Sequence, residues 1–298
     1  MMANLRLILD VEVKPGDASH SSHSLPGLTT LLNRLPSNGK PEFVRGDIGW
    51  GTDTVMKQLE AINQPYLFKL KRTKNVINLI YKHHGLGQWT SVHPSWEAKE
   101  DHLLLQGWET QRRVIIVRRQ LLSTAVIGFE HDGNEGKQLS FIDGPENIKA
   151  FEYAVLVTDL DADLTSVFHH YRDRADCENN FDELKNQWGW GGYTTKDVKS
   201  CKLMSRLIAL IYNWWNLYVR LALPDHHHEA ITSRPLLLSS IGRLTQHRSQ
   251  KTITITSLHG RKDKLIKAYK NLTGIFNESR ILIASATPRY YAANFIAL

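Results

Sequence analysis

The sequence is poor in cysteine. Cys177 and Cys201 are the only two among 298 residues, too few for a disulfide framework or a four-cysteine zinc site. That scarcity fits a reducing compartment, and the cytoplasm is the expected location. Long apolar runs are also missing. The most apolar stretch, Leu203 to Leu223, is interrupted by Arg206, Asn213, Asn216 and Arg220, too polar for a bilayer core, so no membrane partner is expected. The opening MMANLRLILDVEVKPGD has neither an uncharged apolar segment nor a small-residue cleavage site, which argues against a secretory signal. Neither sign of charge dominates: Lys and Arg number 37 against 30 Asp and Glu, a formal +7. Such an excess suits a polyanionic partner but is common among soluble enzymes. No P-loop, nucleophile elbow or dinucleotide fingerprint is present, so no nucleotide cofactor is expected. What remains is a globular chain, 42% hydrophobic and 22% charged, with room for one large domain or two modest ones.

Hydrophobic periodicity sketches the organisation. Leu5, Leu7, Leu9, Val11 and Val13 alternate with polar residues and predict a strand, closed by a turn at Lys14-Pro15-Gly16-Asp17. A short helix is expected over Leu25 to Leu35 and a second strand over Glu42 to Arg45. A further helix is expected from Thr52, a candidate cap, to Ile62. The next tract reads as β-rich, with strands at Tyr66–Leu70, Val76–Tyr81, His102–Trp108, Val114–Arg119 and Tyr153–Val157. From Leu164 to Leu223 the period is helical, with one break at Gly189–Gly192. The tail from 224 mixes polar residues with short helices. No internal repeat is evident.

The helix expected over Phe168 to Trp188 carries the most chemistry. At about 100° per residue from Tyr171, Arg174 falls near −60°, Glu178 near −20° and Lys185 near −40°. Phe181, Trp188, Cys177 and Leu184 lie beside that stripe as an expected core face. Asn180, Asp182, Glu183 and their polar neighbours fill the arc expected to face water. On these residues alone two readings stay open. One is a salt-bridged amphipathic helix, since Arg174 and Glu178 form an i,i+4 pair. The other is a carboxylate held at the seam between core and water, with cations beside it to grip phosphates.

The spacing Tyr171-x2-Arg174-x3-Glu178-x6-Lys185 resembles the YREK signature of bacterial insertion-sequence transposases of the DDE class. The surrounding YRDRADCENNFDELKNQWGWGGYTT and LIALIYNWWNLYVRL, and EFVRGDIGWGTDTV upstream, are similar to that family as well, across about residues 3 to 222. The resemblance implies an α/β fold: an RNase H-like core interrupted by a β-rich insertion, with a helical C-terminal part. Residues 1–64 would form the first part of the core, 65–158 the insertion, 159–222 the second part with the Glu-bearing helix, and 223–298 a C-terminal region. It implies three carboxylates holding two Mg2+ (or Mn2+) ions for phosphodiester cleavage and strand transfer on double-stranded DNA, at insertion-sequence ends and target, by a homodimer. Asp47 matches the second acid and Glu178 the third, as metal ligands. Tyr171, Arg174 and Lys185 would line the DNA end.

One family feature is unmatched. The first acid belongs to a core strand upstream of the Leu5–Val13 strand, and Asp10 and Asp17 are poor substitutes. The expectation is therefore a truncated copy, weak in metal binding and deficient in strand transfer. Besides that reading stand a catalytically dead DNA-binding fragment that inhibits intact transposase and a stand-alone RNase H-like nuclease. Without the family, Gly46-Asp47 is also an ordinary turn. Trp188, Trp190 and Tyr193 suit either stacking on an unpaired base or core packing. His226-His227-His228-Glu229 reads as a surface loop, because adjacent residues point apart. Arg112-Arg113 and Arg118-Arg119 either touch phosphates or solubilise a strand.

Overall fold

The computed structural model describes residues 1–2, 5–15, 20–121, 151–238, 242–247, 250–255 and 261–286. The chain is mixed α/β and divides into two compact units, Glu12–Asp176 and a second made of Met1–Val11 with Cys177–Leu298.

The first unit is built on a six-stranded sheet. Its elements in chain order are α1 (His20–Arg34), β1 (Val44–Gly46), α2 (Asp53–Ala61), β2 (Tyr66–Lys69), α3 (Lys74–His84), β3 (Thr90–His93), β4 (Trp96–Leu103), β5 (Arg112–Gln120), β6 (Phe151–Thr158) and α4 (Leu164–Arg172). The strand order is β1-β2-β6-β5-β4-β3. β1 and β2 are parallel, joined by α2 as the crossover such a pair requires. All other neighbours are antiparallel. β1, from the expected core, and β2, from the expected insertion, are thus neighbours in one sheet, with β1 at its edge.

Both faces of the sheet are covered, which explains the unbroken apolar run Val114-Ile115-Ile116-Val117 in β5. Val114 and Ile116 join Tyr66, Phe68 and Val157 beneath α1, α2 and α3. Ile115 and Val117 join Leu67, Leu156 and Phe168 beneath α4. α3 corrects the strand expected at Val76–Tyr81. Val76, Leu79, Ile80 and His83 are its buried residues, spaced i, i+3, i+4, i+7, the stripe of a helix lying on a sheet. The β-branched residues of the run had suggested the period of a strand. The strand expected at His102–Trp108 is likewise displaced: β4 ends at Leu103 and turns follow. Thr52 holds the N-cap position of α2 without making a side-chain cap bond.

The second unit contains α5 (Arg174–Gln187, whose first turn begins in the other unit), α6 (Val198–Ala222), α7 (Ala230–Leu238), the hairpin β7 (Gly242–His247) and β8 (Gln250–Ile255), and α8 (Lys262–Ala286). Val219, Ala222 and Leu223 pack with Leu236, Leu237, Leu265, Ala268 and Leu272. Ile8, Leu184, Ala209 and Tyr212 form a second cluster. α6 also carries exposed apolar residues at Leu203, Leu207, Leu210, Trp214, Leu217 and Leu221, yet among the described residues no helix is long and apolar enough to cross a membrane.

The strand expected at Leu5–Val13 is absent among the described residues; Met2 and Leu7 make one isolated bridge. The reason is a competing set of partners. Asn213 of α6 accepts the Ile8 N–H and donates to the Ile8 carbonyl, both at 2.8 Å. Asn216 donates to the carbonyls of Leu5 and Arg6, and Arg206 to that of Val11. Side chains of a helix thus occupy the backbone groups a neighbouring strand would use. Gly16 and Asp17 of the expected turn lie outside the described residues.

The paired arginines of β5 are committed to structure. Arg112 is buried and donates to Asp53 at 2.7 Å and to both carboxylate oxygens of Glu60, at 2.7 and 3.1 Å. Arg113, Arg118 and Arg119 pair with Glu100, Glu97 and Glu152. Burial pushes the Asp53 carboxyl up, but Arg112 and Lys57 outweigh it and hold it below its ordinary value; Arg112 holds Glu60 down as well. We predict that Arg112→Ala, which strands two carboxylates, costs about 3–5 kcal/mol in urea unfolding at neutral pH. Carboxyls lowered in the folded state stabilise above their unfolded values, near pH 4, and lose that stabilisation as pH falls through the folded values. The gap between wild type and variant should therefore shrink in acid; a gap independent of pH would contradict the assignment.

Candidate active site

β1 ends at Gly46, and Asp47 opens a tight turn. Its carbonyl accepts the Trp50 N–H at 3.1 Å and its Oδ1 accepts the Gly49 N–H at 3.1 Å. A Cβ on Gly46 would stand 2.8 Å from the Trp50 indole, closer than a side chain tolerates, so glycine suits the residue before Asp47. The turn reading and the site reading of Asp47 are thus compatible: the turn fixes the carboxylate and leaves it exposed at the strand end.

Two residues earlier, Arg45 reaches the junction of α4 and α5. It donates through Nη1 to the His170 carbonyl and through Nη2 to that of Asp173, at 3.0 Å, while the Phe43 ring packs tilted against the His170 ring at 4.9 Å. This junction corrects the single helix expected over 168–188. α4 ends at Arg172, Asp173 is its C-cap, and α5 starts at Arg174. A helix end leaves carbonyls without partners, and a guanidinium there both satisfies them and complements the negative end of the helix dipole. Wheel angles counted from Tyr171 therefore do not carry into α5.

Tyr171 is half-buried and packs on the apolar cluster under α4. The Arg174 guanidinium lies 5.6 Å from the centre of its ring, so the structure brings these two expected DNA contacts together across the break. Glu178 and Lys185 are exposed on α5, seven residues and about two turns apart. Asp47, Tyr171 and Arg174 belong to the first unit, Glu178 and Lys185 to the second.

The buried face of α5 differs from the expected one. Phe181 is 45% exposed, whereas Asn180 and Glu183 are buried beside Leu184. Asn180, Glu183, Leu184 and Trp188 follow the i, i+3, i+4, i+8 stripe in the helix's own frame. The polar members are tolerated because they are bonded. The Tyr212 hydroxyl donates to Asn180 Oδ1 at 3.3 Å, and the Trp188 indole donates to Glu183 Oε1 at 3.2 Å. The aromatic residues after α5 serve packing. Trp188 meets Tyr212 edge-on at 5.7 Å, Trp190 joins the same cluster, and Tyr193 bonds Ser205 at 2.9 Å. Within the histidine loop, the His226 and His228 rings lie tilted against each other at 4.0 Å, while His227 turns toward Glu183 at 3.6 Å. Sequence reasoning missed Arg45 and Glu183: an arginine on a strand and a glutamate in a charged run carry no local mark of what they cap.

As donors, Asp47 and Glu178 have the hard oxygens that Mg2+ or Mn2+ prefers. Among the described residues no three His, Cys, Asp or Glu side chains are grouped closely enough to share a metal ion. Asp10 faces Arg206 at 3.6 Å, and Asp17 is outside the described residues. Because Asp47 and Glu178 are exposed, we predict that Asp47→Asn and Glu178→Gln each leave stability within about 0.5 kcal/mol of wild type. Thermal unfolding of both variants checks this, and a larger loss would assign them a structural role.

A family model described as transposase DDE domain group 1 matches residues 5–275. A search of curated proteins finds no match.

Proposed function

Because the chain belongs to the group 1 transposase DDE domain family, we propose that it acts in DNA transposition by binding double-stranded insertion-sequence ends, with Asp47 and Glu178 as two of the carboxylates that hold Mg2+ or Mn2+ on an RNase H-like core. The observation that carries this is the reach of the match, residues 5–275, which takes in Asp47 and all four positions of the Tyr171, Arg174, Glu178, Lys185 pattern. Bound in pairs, such ions supply nucleophile activation and leaving-oxygen stabilisation for phosphodiester cleavage and strand transfer.

The chain's own residues would do the rest. Asp47 offers its carboxylate from a turn pinned by the Gly49 N–H. Glu178 lies one turn beyond Arg174 on α5, and the first residues of that helix adjoin the carbonyls that Arg45 caps. That the two carboxylates serve a single site rests on the family membership. Arg174 and Lys185 contribute charge toward phosphates, and Tyr171 holds Arg174 by cation–π contact while offering its hydroxyl to the DNA backbone. In this reading the strands between 65 and 158 are the insertion that extends the core sheet, and two copies of the chain hold two ends.

The test is a duplex carrying a terminal repeat sought in the DNA that flanks this chain's gene, titrated against a scrambled duplex with Mg2+ present. Preferential binding of the repeat is expected. Arg174→Ala and Lys185→Ala should each weaken binding and reduce the salt dependence by about one phosphate contact. Equal affinity for both duplexes, or unchanged salt dependence in both variants, would contradict the proposal.

A further inference from the structure

Glu183 is 2% exposed, and a buried carboxylate is costly unless its oxygens are matched. Its Oε1 accepts two donors, the Trp188 indole at 3.2 Å and the N–H of Ala230, the first residue of α7, at 2.9 Å. One turn later on α5, Gln187 Oε1 accepts the Ile231 N–H at 2.7 Å, and its Nε2 donates to Glu229 at 2.7 Å. Two of the N–H groups that begin α7 are therefore capped by side chains of a different helix. The return contact comes from Arg234 of α7. It donates to the Gln187 carbonyl at 3.0 Å and stacks 3.9 Å over the Trp188 ring. Each helix end satisfies the other's.

One feature of this interlock is unfinished. Glu183 Oε2 and His227 Nε2 are buried, face each other at 3.6 Å and make no hydrogen bond. Burial pushes the Glu183 carboxyl up, but His227, the Ala230 N–H and Trp188 outweigh it and keep the group below its ordinary value. The carboxylate is thus ionised at neutral pH, which strengthens its bonds to the Ala230 N–H and the Trp188 indole.

We propose that Glu183, with Gln187 and His227, is a positioning residue that locks α5 to the start of α7 and thereby holds Glu178 and Lys185 in place for DNA, a role that rests on the function proposed above. The lock needs no contact between Glu183 and DNA. The titratable and charged groups around it are His227, flanked by His226 and His228, Glu229 from the loop, Tyr212 from α6 and Arg234 from α7.

Amide hydrogen exchange of α5 and α7, corrected for intrinsic rates, and binding of the terminal-repeat duplex test this together. In Glu183→Leu, which removes the acceptor of the Ala230 N–H that begins α7, amides of α7 and of the α5 end it is tied to should exchange about tenfold faster, and affinity for the duplex should fall. Glu183→Gln keeps an acceptor for the Ala230 N–H, so its protection and its duplex affinity should stay close to wild type. If Glu183→Leu fails to fold, Gln187→Ala carries the first arm. Unchanged exchange of α5 and α7 in Glu183→Leu, or in Gln187→Ala where the former fails to fold, would overturn the lock, and faster exchange with undiminished DNA binding would overturn its positioning role. Should wild type not prefer the repeat, the proposed function fails, and the exchange of α5 and α7 alone then decides whether the lock exists.

Discussion

Arg45 is the interaction on which the first unit's site geometry depends. Its guanidinium holds the carbonyls of His170 and Asp173, where α4 stops and α5 starts. Two residues away in sequence, the same strand delivers Asp47 to a surface turn. A short edge strand would be a weak platform alone, since three residues make few ladder bonds. Parallel pairing to β2 and the grip on a helix end give it rigidity from two directions. The break at Asp173 is not a defect in a longer helix. It places Arg174 at the start of α5, with its guanidinium 5.6 Å from the centre of the Tyr171 ring.

The rest of the molecule repeats this device of satisfying one element's unpaired backbone groups with another's side chains. Asn213 and Asn216 hold an extended segment against α6, and Glu183 and Gln187 begin α7 from α5. Arg112, itself buried, ties β5 to α2 through the partly exposed carboxylates of Asp53 and Glu60. Polar groups used in this way contribute modest net stability. What they add is a fixed geometry, which surface carboxylates such as Asp47 and Glu178 cannot secure by packing.

Much of this was legible in the sequence where burial is one-dimensional. The apolar runs of β2, β5 and β6 read correctly, because a strand buried on both faces is apolar at every position. The stripe of α2 and the long period of α6 read correctly as well. The failures have a common cause: periodicity reports which residues are apolar and not what their backbones are bonded to. Leu5 to Val13 alternates like a strand, but the asparagines of α6 take its backbone groups. Val76 to Tyr81 is β-branched enough to suggest a strand, although its buried positions have helical spacing. The break at Asp173 and the burial of Asn180 and Glu183 depend on Arg45, Tyr212 and Ala230, all distant in sequence. The four spaced residues of the Tyr171 to Lys185 pattern were readable because they are local and chemically specific.

The central proposal is that Asp47 and Glu178 serve one metal site. Ferrous ion in place of magnesium, with ascorbate and peroxide, cuts a protein backbone beside the bound metal and reports this directly. The account predicts scission near residue 47 and near residue 178 together, with both cuts lost in Asp47→Asn. Cutting at one position alone, or an undiminished cut near 178 in that variant, would contradict it.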